Sequence, residues 1–142
     1  AGIHLVETHP GLTGTYVSPT IAVAPPLDSD VATQEIFGPV VVVMPFKTED
    51  DAVTISNSLP YGLQASVWSS NIDKALRTAR QIEAGDVWVN THYIRNAETP
   101  YGGWKLSGLG RELGRAGLQE YLKHQRIAID TRAHDHLSAS FA

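Results

Sequence analysis

At 142 residues and 42% hydrophobic content, the chain is long enough for one ordinary domain with a core of its own. Its net charge of −4 and pI near 5.8 offer no broad positive field to a phosphate backbone, which argues against nucleic acid as a partner. It has no cysteine at all, which excludes disulfides and thiolate metal sites and leaves the redox compartment open.

Nothing in the chain approaches the ~20 apolar residues that a membrane span needs. The longest apolar run, Val40 to Met44, is strand-sized and followed by Pro45. The first residues, Ala1-Gly2-Ile3-His4-Leu5-Val6, lack the basic region and long apolar core of a signal peptide and begin without Met. The expectation is a soluble, cytoplasmic chain with no membrane partner, although a transit peptide farther upstream stays open.

In chain order, Thr15 to Ala24 alternates around Tyr16, Val17, Ile21 and Val23 as a strand does, and Val40 to Met44 is a continuous β-branched run of the kind buried on both faces of a parallel sheet. A helix follows. Thr48 serves as its N-cap, Glu49, Asp50 and Asp51 meet the positive end of its dipole, and Ala52, Ile55 and Leu59 face inward until Pro60-Tyr61-Gly62 stops it. Ala65 to Trp68 reads as a short strand. The next helix is capped by Asn71 or Asp73, repeats Leu76, Ala79 and Ile82 at threes, and ends on Gly85 in a left-handed conformation. Val87-Trp88-Val89 is another strand. A third helix is expected to open near Arg111 and to carry Leu113, Leu118, Tyr121 and Leu122 inward. Arg126 to Asp130 reads as a last strand, with Thr131 to Ala142 as a loose tail. Alternating strands and helices predict an α/β layer with a mainly parallel sheet. Without a repeat or an internal linker, residues 1–142 read as one incomplete domain.

The segment Gln34-Glu35-Ile36-Phe37-Gly38-Pro39-Val40 places a carboxylate and an aromatic ring two residues apart ahead of a Gly-Pro turn and an apolar strand. It resembles the Glu-x-Phe-Gly-Pro signature of the aldehyde dehydrogenase superfamily. Four further stretches resemble the same family in the same order: Tyr16 to Ile21, Asn57 with Tyr61-Gly62-Leu63, Gly85 to Asn90, and Pro100 to Gly114. The ordered set spans roughly residues 10 to 130 and resembles only the C-terminal third or so of that family's chain, so a fragment is expected. The resemblance implies an enzyme that oxidises a small-molecule aldehyde with NAD or NADP, as part of a longer chain and a homo-oligomer. It also implies that the nucleophilic cysteine and the glutamate that activates water lie upstream, which leaves this chain no catalytic residue of its own.

A carboxylate has two oxygens that can accept both hydroxyls of a ribose. By resemblance Glu35 grips the nicotinamide ribose and Phe37 packs beside the nicotinamide. The plainer readings are an exposed acid ahead of a strand and a core aromatic. Gly108-Leu109-Gly110-Arg111-Glu112-Leu113-Gly114 looks like a phosphate-binding turn, but a dinucleotide turn follows directly from a strand, and here a long loop intervenes after Asn90. Glycines that allow a tight backbone path and helix entry account for the pattern better.

Between Asn90 and Tyr101, in the loop that lines the aldehyde entrance of the enzymes it resembles, the chain carries Arg95 and Tyr101 where members handling apolar aldehydes tend to carry aromatics, with Thr91 and His92 close by. The planar fork of Arg95 suits a carboxylate or another oxygen-rich group on the substrate, which makes Arg95 and Tyr101 the candidate substrate residues. An exposed loop arginine, or one paired with Glu98, is the competing account. His134 and His136 alone have metal-ligand spacing, with no third ligand, so no metal is expected. Trp68, Trp88 and Trp104 read as packing residues. A rival from another class is a noncatalytic assembly module that joins a neighbouring subunit's sheet through Arg126 to Asp130, the strand and tail 126–142 then being the oligomerisation element.

Overall fold

The computed structural model describes residues 2–5 and 13–131. Its first sheet joins β1 (Gly2–Leu5), β2 (Thr20–Val23) and β3 (Val40–Val43), with β2 central, antiparallel to β1 and parallel to β3. Between β2 and β3 the chain makes a one-turn helix α1 (Asp30–Thr33), which the sequence reading did not anticipate because four residues are too few to show a period. β3 lies at the sheet edge and its valines alternate. Val40 and Val42 are half-buried, whereas Val41 and Val43 are exposed, so the expectation of burial on both faces is corrected: no described element covers the second face.

Helix α2 (Glu49–Asn57) starts as its sequence says. The Thr48 side chain accepts from the Asp51 amide at 3.1 Å, and Asp51 Oδ2 accepts from the Thr48 amide at 3.0 Å and the Lys47 amide at 3.2 Å, a reciprocal capping box. Those backbone donors hold the Asp51 carboxyl below its usual range, with Thr48 the larger cause.

After the two-residue β4 (Tyr61–Gly62) come β5 (Gln64–Val67), helix α3 (Ile72–Ala79) and β6 (Asp86–Val89). β5 and β6 pair in parallel, Gln64 opposite Asp86 and Val67 opposite Val89, and α3 packs on both strands, which makes this a βαβ unit. Asn71 is the N-cap, accepting from the Lys74 amide at 2.9 Å. Ala75 and Thr78 are the residues α3 buries, while Leu76 is exposed. Gly85 is not left-handed. The helix ends at Ala79 with Arg80 still in the right-handed region, and Gly85 is required for a different reason: a Cβ there would run into the carbonyl oxygen of Gly102. β7 (Trp104–Lys105) pairs antiparallel with β4. The architecture is therefore a partial α/β fold with two parallel and two antiparallel pairs.

The C-terminal expectations need two corrections. The last helix α4 runs Gly114–Gln119, because Leu113 and Gly114 both take positive φ, and a Cβ on Gly114 would sit 2.6 Å from the carbonyl oxygen of Glu98. Leu113, Leu118, Tyr121 and Leu122 do not point inward; Tyr121 is 88% exposed. Arg126 to Asp130 is not a strand. A strand needs a neighbour for its ladder, no described strand lies beside this segment, and Ile127 and Ile129 stand 74% and 80% exposed. His134 and His136 lie outside the described residues.

The buried apolar residues among those described are Ala22, Ala75 and Ala84, and no large side chain is fully buried. No described helix is long and apolar enough to cross a membrane.

Candidate functional site

Three polar fixtures hold the region after β6 in place. Asn90, at φ 54°, accepts from the Ser69 amide at 2.8 Å and donates back to the Ser69 carbonyl at 2.9 Å. A hydrogen bond of 2.7 Å joins Ser66 Oγ on β5 to His92 Nδ1. Trp88 Nε1 on β6 donates to the Ile94 carbonyl at 3.0 Å. The loop is thus stitched to the β5–β6 pair at 90, 92 and 94. Tyr93, between two of those points, is driven to φ 59°, a conformation uncommon for a bulky residue and one that the surrounding bonds must sustain.

Arg95 and Tyr101 are brought together. The guanidinium carbon of Arg95 lies 3.7 Å from the Tyr101 ring centroid and 4.5 Å from that of Tyr93, so the cation has two aromatic faces as neighbours. Among the described residues the ion pairs are Glu49 with Lys74 and Arg77, and Lys105 with Glu83; Arg95 does not pair with Glu98. Tyr101 is fixed by two backbone bonds with Glu112, its amide donating at 2.8 Å and its carbonyl accepting at 2.7 Å. Trp88 meets His92 edge-on at 5.5 Å and Tyr93 at 6.4 Å. Ser66, His92 and Tyr93 thus belong to the cluster. The sequence reading named His92 only as a neighbour and missed the other two; the positive φ of Tyr93 leaves no mark in the sequence pattern.

Glu35 and Phe37 lie on the link between α1 and β3. The Gly38 amide bonds the Ile36 carbonyl at 2.9 Å and the Val40 amide bonds the Gly38 carbonyl at 2.8 Å, two successive tight turns that thrust Phe37 outward, 95% exposed. Glu35 borders a hollow of about 580 Å³ with Leu59, Tyr61, Gln64, Ile82 and Leu106. Tyr101 borders another of about 360 Å³, and the two hollows share Leu63 and Ser107 as walls. Glu35 and Tyr101 therefore border adjoining hollows, although Phe37 and Arg95 line neither. A larger hollow, about 810 Å³ between α2, β5 and α3, contains none of the four. On its rim Lys74 and Arg77 hold the Glu49 carboxyl below its usual range. Among the described residues no group of three acidic, histidine or cysteine side chains could hold a metal.

The remaining motif residues frame the site. Asn57 donates to the Gln81 carbonyl and accepts from the Glu83 amide, both at 2.8 Å. Lys105 Nζ reaches the carbonyls of Asn57 at 2.8 Å and Leu59 at 3.1 Å and the Glu83 carboxylate at 2.6 Å. Ser107 Oγ accepts from the Gly62 amide at 3.0 Å. Asn57, Gly62, Lys105 and Ser107 therefore knit α2, β4 and β7 together from positions far apart in sequence.

A sequence model of the aldehyde dehydrogenase family matches residues 2–127. The chain belongs to the aldehyde dehydrogenase family. It is 46% identical over 116 residues to a 2-hydroxymuconic semialdehyde dehydrogenase of Pseudomonas putida, covering 82% of this chain and 24% of that one. It is 44% identical over 119 residues to aldehyde dehydrogenase 1A1 of Gallus gallus, covering 84% of this chain and 23% of that one. Among solved structures, an NAD-dependent aldehyde dehydrogenase from Sinorhizobium meliloti superposes with a TM-score of 0.69 at 48% identity over 75% of this chain and 21% of that one. A double mutant of betaine aldehyde dehydrogenase from Staphylococcus aureus, in complex with NAD+, gives 0.84 at 35% identity over 99% of this chain and 29% of that one. This aldehyde dehydrogenase segment thus spans about a quarter of the length of the curated relatives it matches.

Proposed function

We propose that this chain is the C-terminal part of a cytoplasmic, NAD- or NADP-dependent aldehyde dehydrogenase that oxidises a semialdehyde bearing a carboxylate to the corresponding diacid. The observation that carries the substrate class is the Arg95 guanidinium stacked on Tyr101 and Tyr93 with its N–H groups donating to no described residue. Stacking fixes the plane of the fork and leaves its edge for a bidentate anion, so less freedom is lost when a carboxylate binds. A relative named as a 2-hydroxymuconic semialdehyde dehydrogenase, at 46% identity, supports the same class.

The nicotinamide, when bound, accepts the hydride. Glu35 fits the ribose role, because its exposed carboxylate has no described partner and opens on a hollow that adjoins the one at Tyr101. Glu35 would accept the ribose hydroxyls, Phe37 would pack beside the ring, and Arg95 with Tyr101 would hold the far end of the aldehyde. The remainder of the parent chain would supply the nucleophile.

Arg95→Ala in the full-length enzyme tests the reading. Loss of a charge-assisted pair of roughly 1.5–3 kcal/mol should cut the kcat/KM ratio of a carboxylate-bearing semialdehyde over a neutral aldehyde by about tenfold to a hundredfold. An unchanged ratio would show that Arg95 is a structural loop residue. For the cofactor residue, Glu35→Gln is expected to slow hydride transfer by about tenfold or more, since a charged hydrogen bond to the ribose is lost, while cofactor affinity changes less. A deuterated aldehyde reads this directly: the isotope effect on kcat should rise, and an unaltered rate and isotope effect would remove Glu35 from the site.

A further inference from the structure

We propose that Ser66 and His92 are a positioning pair that sets the charge selectivity of the site by holding Arg95 in its aromatic bracket; this rests on the reading of Arg95 given above. The Ser66–His92 bond, 2.7 Å, ties the loop to β5, and it spans 26 residues of sequence. Two residues on, the Trp88 indole fixes Ile94 by its carbonyl. With both neighbours pinned, Tyr93 has only its own φ and ψ through which to turn, and it takes the left-handed region at φ 59°. In that conformation the Tyr93 ring lies 6.0 Å from the His92 ring, centroid to centroid, and 4.5 Å from the Arg95 guanidinium carbon.

A bulky residue does not stay in that region without restraint. If the bond at His92 is released, the loop has a cheaper path with Tyr93 in an ordinary conformation, the second face beside Arg95 is lost, and the guanidinium keeps Tyr101 alone. A single-faced arginine on an exposed loop samples more orientations, so it must be ordered by the substrate at the moment of binding. Ser66 and His92 thereby act on the anion without touching it. The bland alternative, a surface bond that only stiffens the loop, predicts equal effects on every substrate.

The test uses the full-length enzyme with a carboxylate-bearing semialdehyde and a neutral aldehyde of equal length, read as the ratio of their kcat/KM values. Ser66→Ala, which removes one hydroxyl, and His92→Phe, which keeps a ring but not the bond, are each expected to lower that ratio about tenfold, the size of one hydrogen bond, mainly through KM of the acidic aldehyde. His92→Asn can still bond Ser66 from the place of Nδ1 and should restore most of the ratio. If Arg95→Ala lowers the ratio while Ser66→Ala leaves it intact, the positioning role is overturned and the anion reading stands. Equal losses on both aldehydes, or failure of His92→Asn to rescue, also overturn it. If Arg95→Ala itself has no effect, the reading and this inference fall together.

Discussion

Alanine at Gly85 is expected to destabilise the full-length enzyme by about 3 kcal/mol or more, at or above the top of the ~1–3 kcal/mol range for overpacking. The site has no room that a side-chain rotation could create. An added Cβ would collide with the Gly102 carbonyl oxygen, lie 2.8 Å from the Gly102 carbonyl carbon and 3.3 Å from Gly103 Cα, all of them backbone atoms. The Gly85 amide is meanwhile held to the Gly62 carbonyl at 3.0 Å and the next amide to the Leu63 carbonyl at 3.2 Å, so relief by movement breaks the junction of β4, β5 and β6. Gly38 supplies the control: its φ is not positive, and a Cβ there would meet only Ile36 Cγ2, at 3.8 Å. Denaturant unfolding and soluble yield of the two variants decide the matter. A Gly85→Ala protein as stable as Gly38→Ala would show that the segment at 102–103 can yield.

What the sequence revealed and what it hid divides by distance along the chain. Thr48 with its acidic first turn announced the start of α2 because a cap is complete within four residues, and the choice of Asn71 or Asp73 marked the start of α3, where the structure has Asn71. Gly85 was legible as a glycine needed near a helix end, but its true constraint is a carbonyl seventeen positions later, which no local pattern encodes. The valines of β3 declared a strand, whereas their burial depends on what lies across the sheet, and β-branching carries no information about that. Arg126 to Asp130 has strand composition, yet no described strand pairs with it, so composition alone misled. At the site, Arg95 and Tyr101 stood out by residue type within one loop and do stack together. The Ser66–His92 bond crosses two strands, and serine and histidine at that spacing have no signature. Membership in the aldehyde dehydrogenase family was readable because its motif residues recur in order, and the structure gives several of them, Asn57, Gly62, Gly85 and Lys105, framework roles rather than chemical ones.

The 142-residue chain, expressed by itself, should associate or remain partly unfolded and should reduce no nicotinamide in the presence of aldehydes. Its accessible surface is 11435 Å², where a compact monomer of this mass exposes about 7,200 Å². Three alanines make up the buried apolar core among the described residues, while Phe37, Val41, Leu106, Leu109, Leu118 and Tyr121 face solvent. Each ~100 Å² of apolar surface left in water forgoes about 2.5 kcal/mol, and a whole domain's net stability is only about 5–15 kcal/mol, so a few uncovered side chains are enough to tip the balance. Val40–Val43 is the segment most prone to pair with another copy, because it is an uncharged β-branched strand at a sheet edge with one face exposed. No turnover is expected on separate grounds, since the resemblance implies a cysteine nucleophile and the chain has none. Sedimentation at several concentrations, with hydrogen exchange across Val40–Val43, reads the first expectation, and nicotinamide absorbance with a panel of aldehydes reads the second. A sharp monomer with protected amides in that strand would mean that these residues make a self-sufficient domain and that the exposed faces close without further chain. Turnover above background would mean that the chemistry does not depend on a cysteine supplied from elsewhere.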